Sequence, residues 1–260
     1  MRNGGPAEGE VWARRRSALE RMVSVVMLTR AGEVPRAYAI DTRAVVSRAM
    51  QKFRENNVEA AVDLMDDVLR EAPQQSPYLW QRGIALYYLD QFGPASAQFR
   101  ADVKVNPSDA EEAVWACISE SARGHGDIDA SRKGFIKLQG RDGRQVMGSV
   151  LPLFRSGDEE AKKALIHLSE KPAASAQDAS DAFYSSLYLG LYYESLGDID
   201  RSRRWIETAH ETPYGRKAKS DFMTAVAEVH LARRGWLPAR QGAQLNGSMT
   251  SDKSGAPAPS

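Results

Sequence analysis

The sequence predicts an all-α fold, a solenoid of antiparallel helix pairs, and three observations carry that prediction. The first is a fixed period: Pro73 and Pro107, Ala61 and Ala95, Met65 and Phe99, and Ala49 and Gly83 each lie 34 residues apart. A period of this size marks supersecondary units that bury their apolar faces only against their neighbours. The second is a repeated phrase. "GDIDASR", Gly126 to Arg132, returns as "GDIDRSR", Gly197 to Arg203, with six of seven residues identical and 71 residues between the copies. The third is helical spacing of apolar residues, as in Phe222, Val226 and Val229.

The elements follow in order. Residues 1–40 form an N-terminal segment, partly disordered or with one helix from Val11 to Arg30, ended by Gly32 and Pro35. Residues 41–237 hold the repeats, with turns near Asn56, Asp90, Gly126, Gly157 and Gly197 and hence five helical hairpins. In "YLWQRGIALYYLDQFGPASAQFRADVKVNP", Leu79, Gly83 and Leu86 fall on a first helix, Ala95 and Phe99 on a second, and Pro107 closes the unit. Proline stops a helix because it lacks the backbone donor and clashes with the preceding turn. A third, looser copy carries Trp115, Ile118, Ser119, Ser131 and Phe135 and closes at Gly143. A fourth hairpin pairs Val146–Arg155 with Asp158–Glu170, and a last helix from Arg216 to Arg234 caps the stack. Residues 238–260 are rich in Gly, Ser, Pro and Ala and read as a disordered tail.

The repeated phrase admits a chemical and an architectural reading. Asp127, Asp129, Asp198 and Asp200 resemble the start of a calcium loop, which needs glycine at its sixth position and glutamate at its twelfth. Counted from Asp127 those positions hold Arg132 and Leu138; counted from Asp198 they hold Arg203 and Ala209. The pattern fails in both copies. The phrase is therefore punctuation: glycine takes the left-handed conformation at the end of one helix, and aspartate caps the next and suits its dipole.

Composition excludes several classes. Lys plus Arg is 35 and Asp plus Glu is 34, so no bulk basic footprint for nucleic acid exists. Cys117 is the one cysteine and supplies neither an internal disulfide nor a thiolate zinc cluster. The most apolar early stretch, Met22 to Leu28, is too short to span a bilayer. The histidines are His125, His167, His210 and His230; no H-E-x-x-H, nucleophile elbow, Walker loop or dinucleotide fingerprint occurs. The expectation is a protein that is not an enzyme and uses no metal and no cofactor.

The signature residues Leu79, Gly83, Leu86, Ala95, Phe99 and Pro107, with Leu189-Gly190-x-x-Tyr193, resemble the tetratricopeptide repeat family over residues 42 to 236. More narrowly, "LWQRGIALYYLDQFGPASAQF" and "LYLGLYYESLGDID" look like the bacterial new lipoprotein I group and tetratricopeptide proteins of plants and algae, many with plastid addresses. The resemblance implies a tetratricopeptide-type α-solenoid whose first helices line a concave groove. It implies groove residues Arg43, Met50, Phe53 and Arg54 from the first repeat and Trp80, Ile84 and Tyr87 from the second. Glu120 and Arg123 follow from the third, and Tyr184, Leu187 and Glu194 from the last. For Tyr87 and Tyr88 groove and core readings are evenly weighed. Trp115 occupies the consensus structural tryptophan position. The implied function is a non-catalytic scaffold or adaptor that binds a peptide or partner protein in the groove, with a homodimer among the expected assemblies. The rival is an RNA-binding helical-repeat protein of an organelle, which would repeat a base-reading pair at one position of every unit; no such recurrence is present. The expected location is intracellular, cytoplasmic or plastid.

Overall fold

The computed structural model describes residues 41–140 and 142–237; the helix expected over residues 11–30 and the tail expected over residues 238–260 lie outside them. Among the described residues the protein is all-α, with no strand. The helices are α1 (Thr42–Arg54), α2 (Val58–Glu71), α3 (Trp80–Tyr88), α4 (Phe92–Val105), α5 (Ala110–Arg123) and α6 (Ile128–Lys133). They continue as α7 (Met147–Ser156), α8 (Glu159–Glu170), α9 (Ala176–Ser195), α10 (Ile199–Glu211), α11 (Pro213–Lys217) and α12 (Phe222–Arg233). A 3-10 helix, Pro73–Tyr78, joins α2 to α3.

Local chemistry sets these boundaries. All five expected turns carry a left-handed residue: Asn56 (φ 59°), Asp90 (57°), Gly126 (91°), Gly157 (70°) and Gly197 (73°). The aspartates of the repeated phrase act as caps. Asp127 accepts from the Ala130 N–H at 2.9 Å, and Asp198 from the Arg201 N–H at 3.0 Å. Each satisfies one of the orphan donors at a helix start.

Two glycines bring helices together. A Cβ on Gly83 would stand 2.7 Å from the Phe99 ring, and one on Gly190 would stand 2.6 Å from Ile206. These contacts fix the α3–α4 and α9–α10 crossings.

The third and last units depart from the sequence expectation. The third unit's second helix stops at Lys133, so Phe135 lies in irregular chain instead of on a helix. Two arginines hold that path. Arg100 donates to the Gly134 carbonyl at 2.8 Å, and Arg144 is half-buried among Asp109, Glu111 and Asp142. The helix expected from Arg216 to Arg234 is two: α11 ends at Lys217, and Asp221 starts α12 by accepting from the Met223 N–H at 2.9 Å.

Successive helices pack in chain order, α1 on α2, α3 on α4, α4 on α5, α7 on α8 and α9 on α10. Fourteen of the twenty residues of α9 are buried, on every side of the helix, which makes it central instead of peripheral. It touches α5, α7, α8, α10 and α11. The array then closes on itself: α12 packs against α10 on one side and against α1 on the other.

Candidate partner-binding site

Closure decides where the expected groove residues lie. Phe53, Ile84, Tyr87 and Leu187 are fully buried and Tyr184 nearly so. This corrects the expectation that they line an open groove: they form the core between α1, α3, α9 and α12. The physical reason is that the last helix, itself apolar around most of its circumference, packs over this face against α1 and α10. Arg43, on α1, and Arg123, at the end of α5, are exposed. Met50, Arg54, Trp80 and Glu120 are half-buried.

Glu120 is committed to packing. Arg100 grips it with Nε at 2.6 Å and Nη2 at 3.0 Å, and the Ser96 hydroxyl donates to it at 2.6 Å. Bidentate pairs of this kind hold geometry well, and this one ties α4 to α5.

Glu194 anchors a second cluster. It accepts from the Tyr87 hydroxyl at 2.6 Å and from Arg234 Nε at 2.6 Å. The Tyr88 hydroxyl stands 3.1 Å from Nδ1 of His230, whose Nε2 lies 3.7 Å from Glu194. Burial pushes the imidazole down to about 4, so His230 is neutral at pH 7. Burial alone would raise the Glu194 carboxyl; the His230 imidazole when protonated, Arg234 and the Tyr87 hydroxyl outweigh it and hold the group below its ordinary value. With the imidazole neutral, Arg234 supplies the countercharge. Burial, reinforced by the Glu194 charge, drives both Tyr87 and Tyr88 well above the ordinary phenol. Every member is thus fixed in one protonation state near neutrality, which suits holding helices and not proton transfer.

Arg54 and Trp80 meet over Phe222 at the mouth between α1, α3 and α12, and Met50 lies one turn before Arg54 on α1. Trp80 packs edge-on to Phe222 with ring centroids 5.5 Å apart, and the Arg54 guanidinium lies 5.8 Å from the same ring. Arg54 also donates to the Asp221 carbonyl at 3.4 Å. Gln81 points its amide nitrogen at Met50 Sδ, 4.0 Å away. Tyr184 and Tyr214 both donate to Asp221 beneath this mouth, at 2.8 and 2.9 Å.

Sequence reasoning misses Asp221, Phe222, His230, Arg233 and Arg234 as site residues, since it treats their helix only as a cap. The available signal is the pair Arg233-Arg234 before Gly235, where cations complement a helix C-terminus. Among the described residues no group of three or more His, Cys, Asp and Glu side chains is placed to hold a metal ion, and no helix is long and apolar enough to cross a membrane. Fold and mouth together define a class, an all-α closed array of helix pairs with an aromatic–arginine cluster at its seam. No family model matches the chain.

Proposed function

We propose that the protein is a non-catalytic adaptor of the tetratricopeptide type, acting inside the cell, that binds a peptide or partner protein at the mouth between α1, α3 and α12. The observation that carries this reading is the pairing of Arg54 and Trp80 over the Phe222 ring, with Met50 one turn before Arg54 on α1. Tryptophan and arginine supply much of the binding energy at protein interfaces, and here both remain partly exposed beside an apolar anchor. The repeat period and the two glycine crossings support the tetratricopeptide assignment. Arg43, exposed on the same helix as Met50 and Arg54, extends the surface.

A pull-down comparing wild type with a Trp80→Ala, Arg54→Ala double variant tests the reading. The double variant should fold, by circular dichroism, and lose its partners. A folded double variant that retains every partner at full strength would overturn the mouth as the binding site. Salt-sensitive RNA binding at submicromolar concentration would favour the nucleic-acid alternative instead.

A further inference from the structure

We propose that α12 is a resident occupant of the protein's own binding groove, displaced by a partner helix that carries an aromatic side chain and, three turns further on, a pair of arginines. The proposal rests on the adaptor reading above and names its partner chemistry: the partner's aromatic side chain takes the place of Phe222 against Trp80 and Arg54.

The seam between α12 and the α1–α3 wall is where the two ends of the array meet. No chain connection crosses it: the contacts there join residues such as Asn56 and Arg233, 177 positions apart. The wall offers an aromatic box. Phe53, from α1, stands 4.8 Å from the Phe222 ring, with Trp80 at 5.5 Å, and Tyr88 meets the His230 ring at 5.7 Å. Two carboxylates flank that wall, Glu59 on α2 and Glu194 on α9. Arg233 forks onto Glu59, with both nitrogen–oxygen distances 2.9 Å, and donates to Asn56; Arg234 pairs with Glu194. Phe222 and Arg233 are eleven residues apart, three turns of one helix, so the aromatic anchor and the cation share a face. That face is the template for the displacing partner.

Three features weaken this contact relative to the helix's packing on α10. The outer latch is accessible to water: Glu59 is 60% exposed, and an ion pair in that setting holds weakly and is screened by salt. The inner contact is imperfect, because Nε2 of the fully buried His230 makes no hydrogen bond. A break at residues 218–221 separates α11 from α12, so α12 can swing without unwinding a continuous helix.

The test uses the full chain and a fluorescent synthetic peptide of residues 219–237 as probe. Arg233→Glu breaks the latch on α12 and leaves Glu59 on the wall. It should raise affinity for the peptide by roughly two- to fivefold over wild type, the worth of an exposed ion pair, and speed amide exchange in α12 relative to α9. The charge-swapped pair Glu59→Arg with Arg233→Glu should return both readings toward wild type. In the wild type, raising salt to about 1 M, where the screening length falls to roughly 3 Å, should speed α12 exchange in the same way, independent of any variant's folding. Undetectable peptide binding by Arg233→Glu, with α12 exchanging as slowly as α9 under both treatments, would overturn the proposal. If that result accompanied partner loss in the Trp80→Ala, Arg54→Ala pull-down, the latch alone would fail. If the peptide bound Arg233→Glu while that pull-down lost nothing, the latch would stand and the adaptor reading would fall.

Discussion

The Tyr87 hydroxyl donates to Oε2 of Glu194 at 2.6 Å, joining α3 to α9 across 107 residues of sequence. Arg234 reaches the other oxygen of the same carboxylate from beyond the end of α12. One nearly buried charge therefore holds three helices that the chain itself does not bring together.

Removing Arg234 should leave that carboxylate without its countercharge. Arg234→Ala is expected to cost about 3–5 kcal/mol, the usual penalty for breaking a buried pair from one side. The double variant Arg234→Met, Glu194→Leu should lose less than Arg234→Ala. Urea unfolding of wild type, single and double variants measures this; a double variant less stable than the single would contradict the account.

Stability should fall with acid through His230. Its imidazole titrates near 6.5 when unfolded and about 4 when folded, so between those values the unfolded chain binds more protons. Stability is therefore full above about pH 6.5 and declines by roughly 3 kcal/mol as pH drops to 4. The neighbours on the packed elements are Glu194, whose carboxyl is held below its ordinary value, Arg234 and Tyr88. Replacing His230 with Gln should flatten the slope between pH 6.5 and 4, read as unfolding midpoints across that range. An unchanged slope in His230→Gln would assign the acid sensitivity elsewhere.

Glycine substitutions separate crossings from spare glycines. Gly83→Ala and Gly190→Ala press a methyl into Phe99 and Ile206, and each is expected to cost about 1–3 kcal/mol. At Gly148, inside α7, an added methyl would meet nothing within 4 Å, so Gly148→Ala should gain roughly 0.5–1 kcal/mol from helix propensity. Melting curves that move all three variants in one direction would refute the packing argument.

The repeated aspartates should behave as caps and not as ligands. Asp127→Ala and Asp198→Ala are each expected to lower the melting temperature by removing the acceptor for Ala130 and Arg201 N–H groups. Calcium or zinc should leave the melting temperature of wild type and variants unchanged. A metal-dependent rise in wild type that both variants lack would restore the ligand reading.

The local grammar of this chain is legible in its residues. Asn56, Asp90, Gly126, Gly157 and Gly197 end helices because the left-handed turn and the following cap are decided within a few residues. Gly83 and Gly190 are legible because a helix crossing that close admits no side chain. The truncation of α6 is not, because Arg100 and Arg144 hold that segment from 34 residues upstream and from the irregular chain beyond it. Neither is the burial of Phe53, Ile84, Tyr87 and Leu187, for the period places a side chain on a face of its own helix and says nothing of what later covers that face.

Sequence alone determined the all-α class, the five turns, the Asp127 and Asp198 caps and the Gly83 and Gly190 crossings, since hydrogen bonds and apolar spacing within each unit act over short range. Tertiary structure alone decided that the array closes, that α12 meets α1, and that Met50, Arg54 and Trp80 keep a partly open side at the mouth while their neighbours on the same faces are sealed. That outcome rests on contacts between residues far apart in the chain, such as Asn56 with Arg233 and Tyr87 with Glu194, which spacing within one helix does not encode.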